Sequence, residues 1–255
     1  MPKYGMVIDL QKCVGCGACA IACKTENNTR NRMGGQTYNW ADHVIEVSGK
    51  FPNISYTNRP VLCNHCSKPA CVEACPVTPK AMYKHANNIT MHNNERCIGC
   101  RLCQQACPYS ASDVDEEKAQ YSVISFNDFG QDPQPFYSNA SELIRGATAS
   151  GAEIATKTGA TPPYRTKYAH PDYADVRSDG IVEKCIFCEH RVAKGEQPYC
   201  VDACPSGART FGDLDNSNSD ISRLLKKHKS AVLKPEAGTV PNVFYIRRFK
   251  SSRVV

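Results

Sequence analysis

Sixteen cysteines are distributed over this chain of 255 residues, and every one of them falls in one of four short runs. The runs are Cys13, Cys16, Cys19 and Cys23; Cys63, Cys66, Cys71 and Cys75; Cys97, Cys100, Cys103 and Cys107; and Cys185, Cys188, Cys200 and Cys204. Thiolates are strong ligands for soft metals. The third run, Cys97-Ile-Gly-Cys100-Arg-Leu-Cys103-Gln-Gln-Ala-Cys107-Pro108, has the spacing C-x2-C-x2-C-x3-C-P. Three such closely spaced thiolates wrap the irons of one cubane cluster, while the fourth, displaced and followed by proline, serves a second cluster.

The runs are internal repeats of two kinds. The first and third match as Cys-[Val/Ile]-Gly-Cys-x-x-Cys-x-x-Ala-Cys, and the second and fourth share Pro-x-Cys-Val-acid-Ala-Cys-Pro, at 69–76 and 198–205. The order is that of two fused two-cluster units. Only 21 residues separate Cys75 from Cys97, room for a strand, a turn and a strand, whereas 39 separate Cys23 from Cys63 and 77 separate Cys107 from Cys185. The second and third runs are therefore expected to form one unit, with the first and fourth closing a second unit around it. Exchange of the fourth cysteine then gives four ligand sets. The first site is Cys13, Cys16, Cys19 and Cys204; the second Cys23, Cys185, Cys188 and Cys200; the third Cys63, Cys66, Cys71 and Cys107; the fourth Cys75, Cys97, Cys100 and Cys103.

Other uses of cysteine fit less well. Disulfides suit an even count in a secreted chain, but not repeated Cys-x-x-Cys steps ending in Cys-Pro. Structural zinc takes ligand pairs a dozen or more residues apart, and runs of four within eleven residues are wrong for that. The multiplicity excludes a thioredoxin-like redox pair. With sixteen cysteines completing four sites, His65, His85, His92, His190 and His228 are not expected to ligate metal, and Trp40 is read as core packing or an interface anchor rather than a redox group.

The formal charge is +6, which would suggest an anionic partner. Each oxidised cubane with its thiolates carries about −2, however, and brings the loaded chain to roughly −2. Lysines and arginines are then counter-charges that tune the clusters. No basic-aromatic pattern stands out, so nucleic-acid binding is not expected. The sequence has no G-x-G-x-x-G and no acid–base pair outside the cysteine loops, so no residue is assigned bond-making chemistry. A cluster acting as Lewis acid would need an open iron, and all four sets are complete.

Elements must position these loops. Strands are expected over 1–10, 43–47, 121–126 and 243–248, and short helices over 17–26 and 101–106, after the Gly15 and Gly99 loops. Gly15 and Gly99 allow tight turns in which backbone N–H groups approach sulfur. Pro76, Pro108 and Pro205 redirect the chain after a ligand. A helix from Ser141 through Arg145 and an amphipathic helix over 219–229 complete the reading, and the basic tail (Arg247, Arg248, Lys250, Arg253) reads as solvated. The fold class is α+β: two nested ferredoxin-like two-cluster modules with loop-rich insertions. Residues 1–60 with 180–255 form the outer module, 61–112 the inner one, and 113–179 an insertion that could serve as a docking surface. No leader with a cleavage site and no twin-arginine start opens the sequence, and no apolar run approaches bilayer length. The expectation is a chain soluble by itself that, if exported, travels with a partner.

The cysteine runs, with the segments at 5–13 and 233–241, resemble one family over nearly the whole chain. It is the four-cluster electron-transfer subunit of molybdopterin oxidoreductases of the dimethyl sulfoxide reductase superfamily. The resemblance implies the same nested ligand pairing and four [4Fe–4S] clusters, since Cys100 stands where nitrate reductase-type relatives carry tryptophan. It also implies a large Mo-bisMGD catalytic subunit as partner, and a membrane anchor or a cytochrome or quinol donor. Co-export with a signal-bearing partner to the periplasm follows, with a cytoplasmic home as the alternative. Within the family, the segments at 24–29, 158–161 and 233–246 look most like the respiratory arsenate reductase small subunit. Polysulfide, thiosulfate, tetrathionate and dimethyl sulfoxide reductase subunits are the alternatives, and a free-standing polyferredoxin carrier is a different class.

Overall fold

The computed structural model describes residues 1–27, 29–30, 39–110, 121–129, 157–159 and 179–248. It is an α+β arrangement of short helices and small sheets. The largest sheet has four strands in the order β8-β1-β10-β9. Its centre is β1 (Tyr4–Asp9), where Met6, Val7 and Ile8 are fully buried. Such an unbroken apolar run marks a strand covered on both faces. β1 lies parallel to β10 (Val243–Ile246), with Ile8 opposite Tyr245, and antiparallel to β8 (Arg209–Asp213), with Ile8 opposite Arg209. β9 (Ser230–Ala231) closes the edge.

Short helices follow the cysteine loops. α1 (Ala18–Asn27) and α3 (Leu102–Ala106) carry cysteines of the first and third runs, and α2 (Ala70–Glu73), α4 (Glu189–Val192) and α5 (Tyr199–Asp202) carry or follow cysteines of the second and fourth. α6 (Asp220–Lys227) is capped by Ser219, whose Oγ accepts the Ser222 N–H at 3.2 Å. Asp220 in its first turn and Lys226 and Lys227 in its last complement the helix dipole. Ile221 packs on Val7 and Ile246 of the sheet.

Between Cys75 and Cys97 the chain makes the expected hairpin, β4 (Met82–Lys84) and β5 (Thr90–His92). A much larger hairpin pairs β2 (Ala41–Lys50) with β3 (Asn53–Leu62), from Ala41 opposite Leu62 to Lys50 opposite Asn53. Only its first strand is signalled locally. β3 carries Pro60 and many polar residues because most of the hairpin faces solvent. The strand expected over 121–126 narrows to β6 (Ser125–Phe126), paired with β7 (Val182–Glu183). The helix expected at 141–145 and most of 113–179 lie outside the described residues.

The final strand stops at Ile246. Arg247 has φ +52° and, though partly exposed, is tied down: its Nε donates to Asp9 Oδ1 at 2.8 Å and its Nη2 bonds the other oxygen. Asp9 is buried, and a buried carboxylate needs such a partner. Apart from the small cluster under α6, the core is one cluster in which Cys19, Cys23, Cys63, Cys71, Cys75, Cys103, Cys107, Cys185 and Cys200 stand among Met6, Ile8, Leu62, Ile124, Ile186 and Phe187.

Candidate metal centres

The cysteines of different runs meet. Cys75 lines one cavity with Cys97, Cys100 and Cys103, under Ala81 and Met82. Cys107 lines a second with Cys63, Cys66 and Cys71. Cys204 lines a third with Cys13, Cys16 and Cys19. The remaining four, Cys23, Cys185, Cys188 and Cys200, are all buried, and the charge of Cys23 is felt with those of the other three. Among the described residues, no three His, Cys, Asp or Glu side chains converge tightly enough for a single metal ion. Four thiols around one cavity are the donor set that a cubane cluster takes.

Local structure explains how each loop does this. Gly15 and Gly99 both have φ +69°. The Gly15 N–H bonds the Cys13 sulfur. Further backbone donors reach sulfur at Phe187 to Cys185 (3.4 Å) and Ala208 to Cys204 (3.3 Å). Burial pushes the Cys66 thiol up to about 11 and those of Cys103 and Cys188 up to about 12. A ligating thiol must give up its proton, so metal binding here would release protons. Cys19 differs. Burial opposes its thiolate, but the hydrogen bond from His43 and the charge of Arg209 bring it down to about 7.

The four sets form a series. Cys200 of the second site interacts electrostatically with Cys19 of the first, Cys185 of the second with Cys63 of the third, and Cys71 of the third with Cys103 of the fourth. All eight cysteines of the second and third sites are buried, whereas Cys16 and Cys100, at the two ends, are exposed. Val14 and Ile98, equivalent residues of the first and third runs, are exposed beside them.

Several polar residues around the sulfurs were not singled out by the sequence. His43 Nε2 lies 3.5 Å from Cys19 Sγ, and its Nδ1 is 2.7 Å from Asn58 Oδ1. Asn27 Nδ2 reaches Cys23 Sγ at 3.6 Å and Cys188 Sγ at 3.9 Å. Arg209 reaches Cys19 Sγ at 3.3 Å and Cys200 Sγ at 3.9 Å. Lys84 donates to the carbonyl of Cys66 at 3.0 Å, and burial lowers its ammonium to about 8. Of the histidines noted in the sequence, buried His65 stacks on Phe187 at 3.7 Å and its Nδ1 accepts the Thr90 N–H at 3.1 Å. His190 Nε2 meets Glu26 Oε1 at 2.7 Å. Trp40 is buried, and its carbonyl accepts the Tyr121 hydroxyl at 3.1 Å.

Comparison with known families agrees with this geometry. A model described as a 4Fe-4S dicluster domain matches residues 54–126 and 153–214, more than half of the chain, and a 4Fe-4S binding domain matches 4–25. The chain belongs to the 4Fe-4S dicluster family. It is 46% identical to the arsenate respiratory reductase iron-sulfur subunit of Shewanella sp. strain ANA-3, over 97% of each chain. It is 33% identical to a putative dimethyl sulfoxide reductase iron-sulfur subunit of Halobacterium salinarum, over 96% of this chain and 79% of that one. It is 32% identical to a tetrathionate reductase subunit of Salmonella typhimurium, over 96% and 72%. This 4Fe-4S dicluster protein is thus an electron-transfer iron-sulfur subunit, and its sixteen cysteines account for four [4Fe–4S] clusters. No helix among its described residues is long and apolar enough to cross a membrane.

Proposed function

We propose that the chain relays electrons between a quinol or cytochrome donor and a large molybdopterin catalytic subunit, as the iron-sulfur subunit of a respiratory arsenate reductase. The observation that carries the relay is the series of four cysteine sets with a buried middle and two exposed ends. The substrate assignment rests on the 46% identity over 97% of both chains. Bound at these sites, [4Fe–4S] clusters supply one-electron relay positions. The chain's own part is to hold the thiolates, to exclude water at the second and third sites, and to place counter-charges.

The ligand sets are those read from spacing, and their support is the shared cavities. The nested arrangement is part of the same reading. α1 packs with α5, and β1 with β8 and β10, which joins 1–60 to 180–255. α2 packs with α3 across the β4–β5 hairpin within 61–112. Residues 113–179 are read as an insertion that covers a partner. One face of the β2–β3 hairpin starts with His43 and Asn58 beside the first site and continues outward through exposed Ile45, Val47, Tyr56 and Ile54. This apolar face fits a contact with the catalytic subunit. The assembled complex is placed in the periplasm, carried there by its partner's signal.

The test is co-expression with the catalytic subunit encoded beside this chain. Arsenate reduction by the heterodimer, lost on removal of one cluster ligand, is the expected result. Reduction of tetrathionate, polysulfide or dimethyl sulfoxide instead would move the substrate within the family. A monomer that stays fully loaded and binds no catalytic subunit would make it a free carrier.

A further inference from the structure

Arg209 is the first residue of β8, and pairing with Ile8 of the central strand carries its side chain into the core, 4% exposed. Its Nη2 lies 3.3 Å from Cys19 Sγ of the first site. Its Nη1 lies 3.9 Å from Cys200 Sγ of the second and 3.7 Å from Met6 Sδ. It forms no carboxylate ion pair among the described residues. An arginine guanidinium keeps its proton even when buried. A buried cation without a carboxylate requires another counter-ion, and the two sulfur sets are what it faces.

The repeat supplies an internal comparison. The second and fourth runs are each followed by a strand whose first residue comes directly after an alanine: Ala81-Met82 in one, Ala208-Arg209 in the other. Ala81 and Met82 line the fourth site as Ala208 and Arg209 line the first. The same fold position thus holds an uncharged thioether in one half of the chain and a cation in the other.

We infer that Arg209 is a positioning charge shared by the first and second sites, raising the reduction potential of both and keeping them matched for transfer between them. The inference rests on the ligand sets proposed above. Each reduction adds negative charge, and a fixed cation beside two sulfur sets favours the reduced form of each. The cation also offsets the repulsion between neighbours when both are reduced. Arginine suits the task because its planar fork presents separate nitrogens to two acceptors, which one lysine ammonium cannot do.

The experiment is potentiometric titration of the loaded heterodimer, followed by electron paramagnetic resonance, for wild type, Arg209→Met and Arg209→Lys. Iron and sulfide are counted in each sample. Arg209→Met copies the residue at the equivalent position and should lower two of the four potentials. The expected shift is at least tenfold in the reduction equilibrium, about 59 mV for one electron, with the other two potentials unmoved. Arg209→Lys should hold one of the affected potentials nearer to wild type than the other. Should Arg209→Met fail to load, Arg209→Gln, which keeps hydrogen bonding without charge, takes its place. Fully loaded uncharged variants with unchanged potentials, or with all four shifted alike, would overturn the inference. Wild type with fewer than four clusters would instead remove the ligand sets on which it stands.

Discussion

Asn58, on the outer strand of the long hairpin, presses against Gly15 in the first cysteine loop. A Cβ at Gly15 would lie 2.3 Å from Asn58 Nδ2. The same side chain accepts a hydrogen bond from His43 Nδ1 at its Oδ1, and His43 in turn reaches Cys19. The loop, the hairpin and the first site are therefore one packed unit, and a side chain at position 15 disturbs all three.

Substitutions at three glycines should separate backbone strain from crowding. All three have positive φ, which costs a side-chain-bearing residue about 1–2 kcal/mol. At Gly17 nothing lies within 4 Å of the added Cβ, at Gly15 it meets a movable amide, and at Gly99 it meets the Gly180 carbonyl at 2.1 Å. Thermal unfolding of loaded, anaerobic protein should rank Gly99→Ala as most damaging, then Gly15→Ala, then Gly17→Ala. Equal midpoints would contradict the packing described.

Anaerobically purified chain should contain about sixteen irons and as many acid-labile sulfides. Because cysteines make up much of the core cluster, iron chelation should abolish cooperative unfolding, as for other domains folded around metal. Stoichiometric zinc would count against the assignment.

Cys75→Ser should alter the spectrum of the site completed by Cys97, Cys100 and Cys103, although those residues belong to another run. Cys107→Ser should do the same for the site of Cys63, Cys66 and Cys71. The check is resonance spectroscopy of each variant at matched iron loading. If Cys75→Ser perturbed the Cys63 site first, the exchanged pairing would be wrong.

Val47 and Tyr56 face each other across the hairpin and are 63% and 60% exposed. Val47→Asp with Tyr56→Asp should weaken binding to the catalytic subunit at least tenfold, about 1.4 kcal/mol, without lowering iron content. Calorimetry or surface binding measures the first and an iron assay the second. Unchanged affinity would move the contact elsewhere.

The sequence determined the chemistry and much of its grouping. Cluster ligation is a local property: three thiolates within seven residues, turned by Gly15 or Gly99, read the same in any context. The 21 residues from Cys75 to Cys97 left room for little but the β4–β5 hairpin, and the period of 219–229 gave the helix whose Ile221 is buried. Tertiary structure decided what depends on residues far apart. Arg209 stands 190 positions from Cys19; its fit beside two sulfur sets comes from the antiparallel register of β8 on β1, which no local pattern encodes. Arg247 read as a solvated tail until β10 ran parallel to β1 and brought it to Asp9. β3 was illegible because a strand that faces solvent has no apolar alternation to display, so only its pairing with β2 could define it.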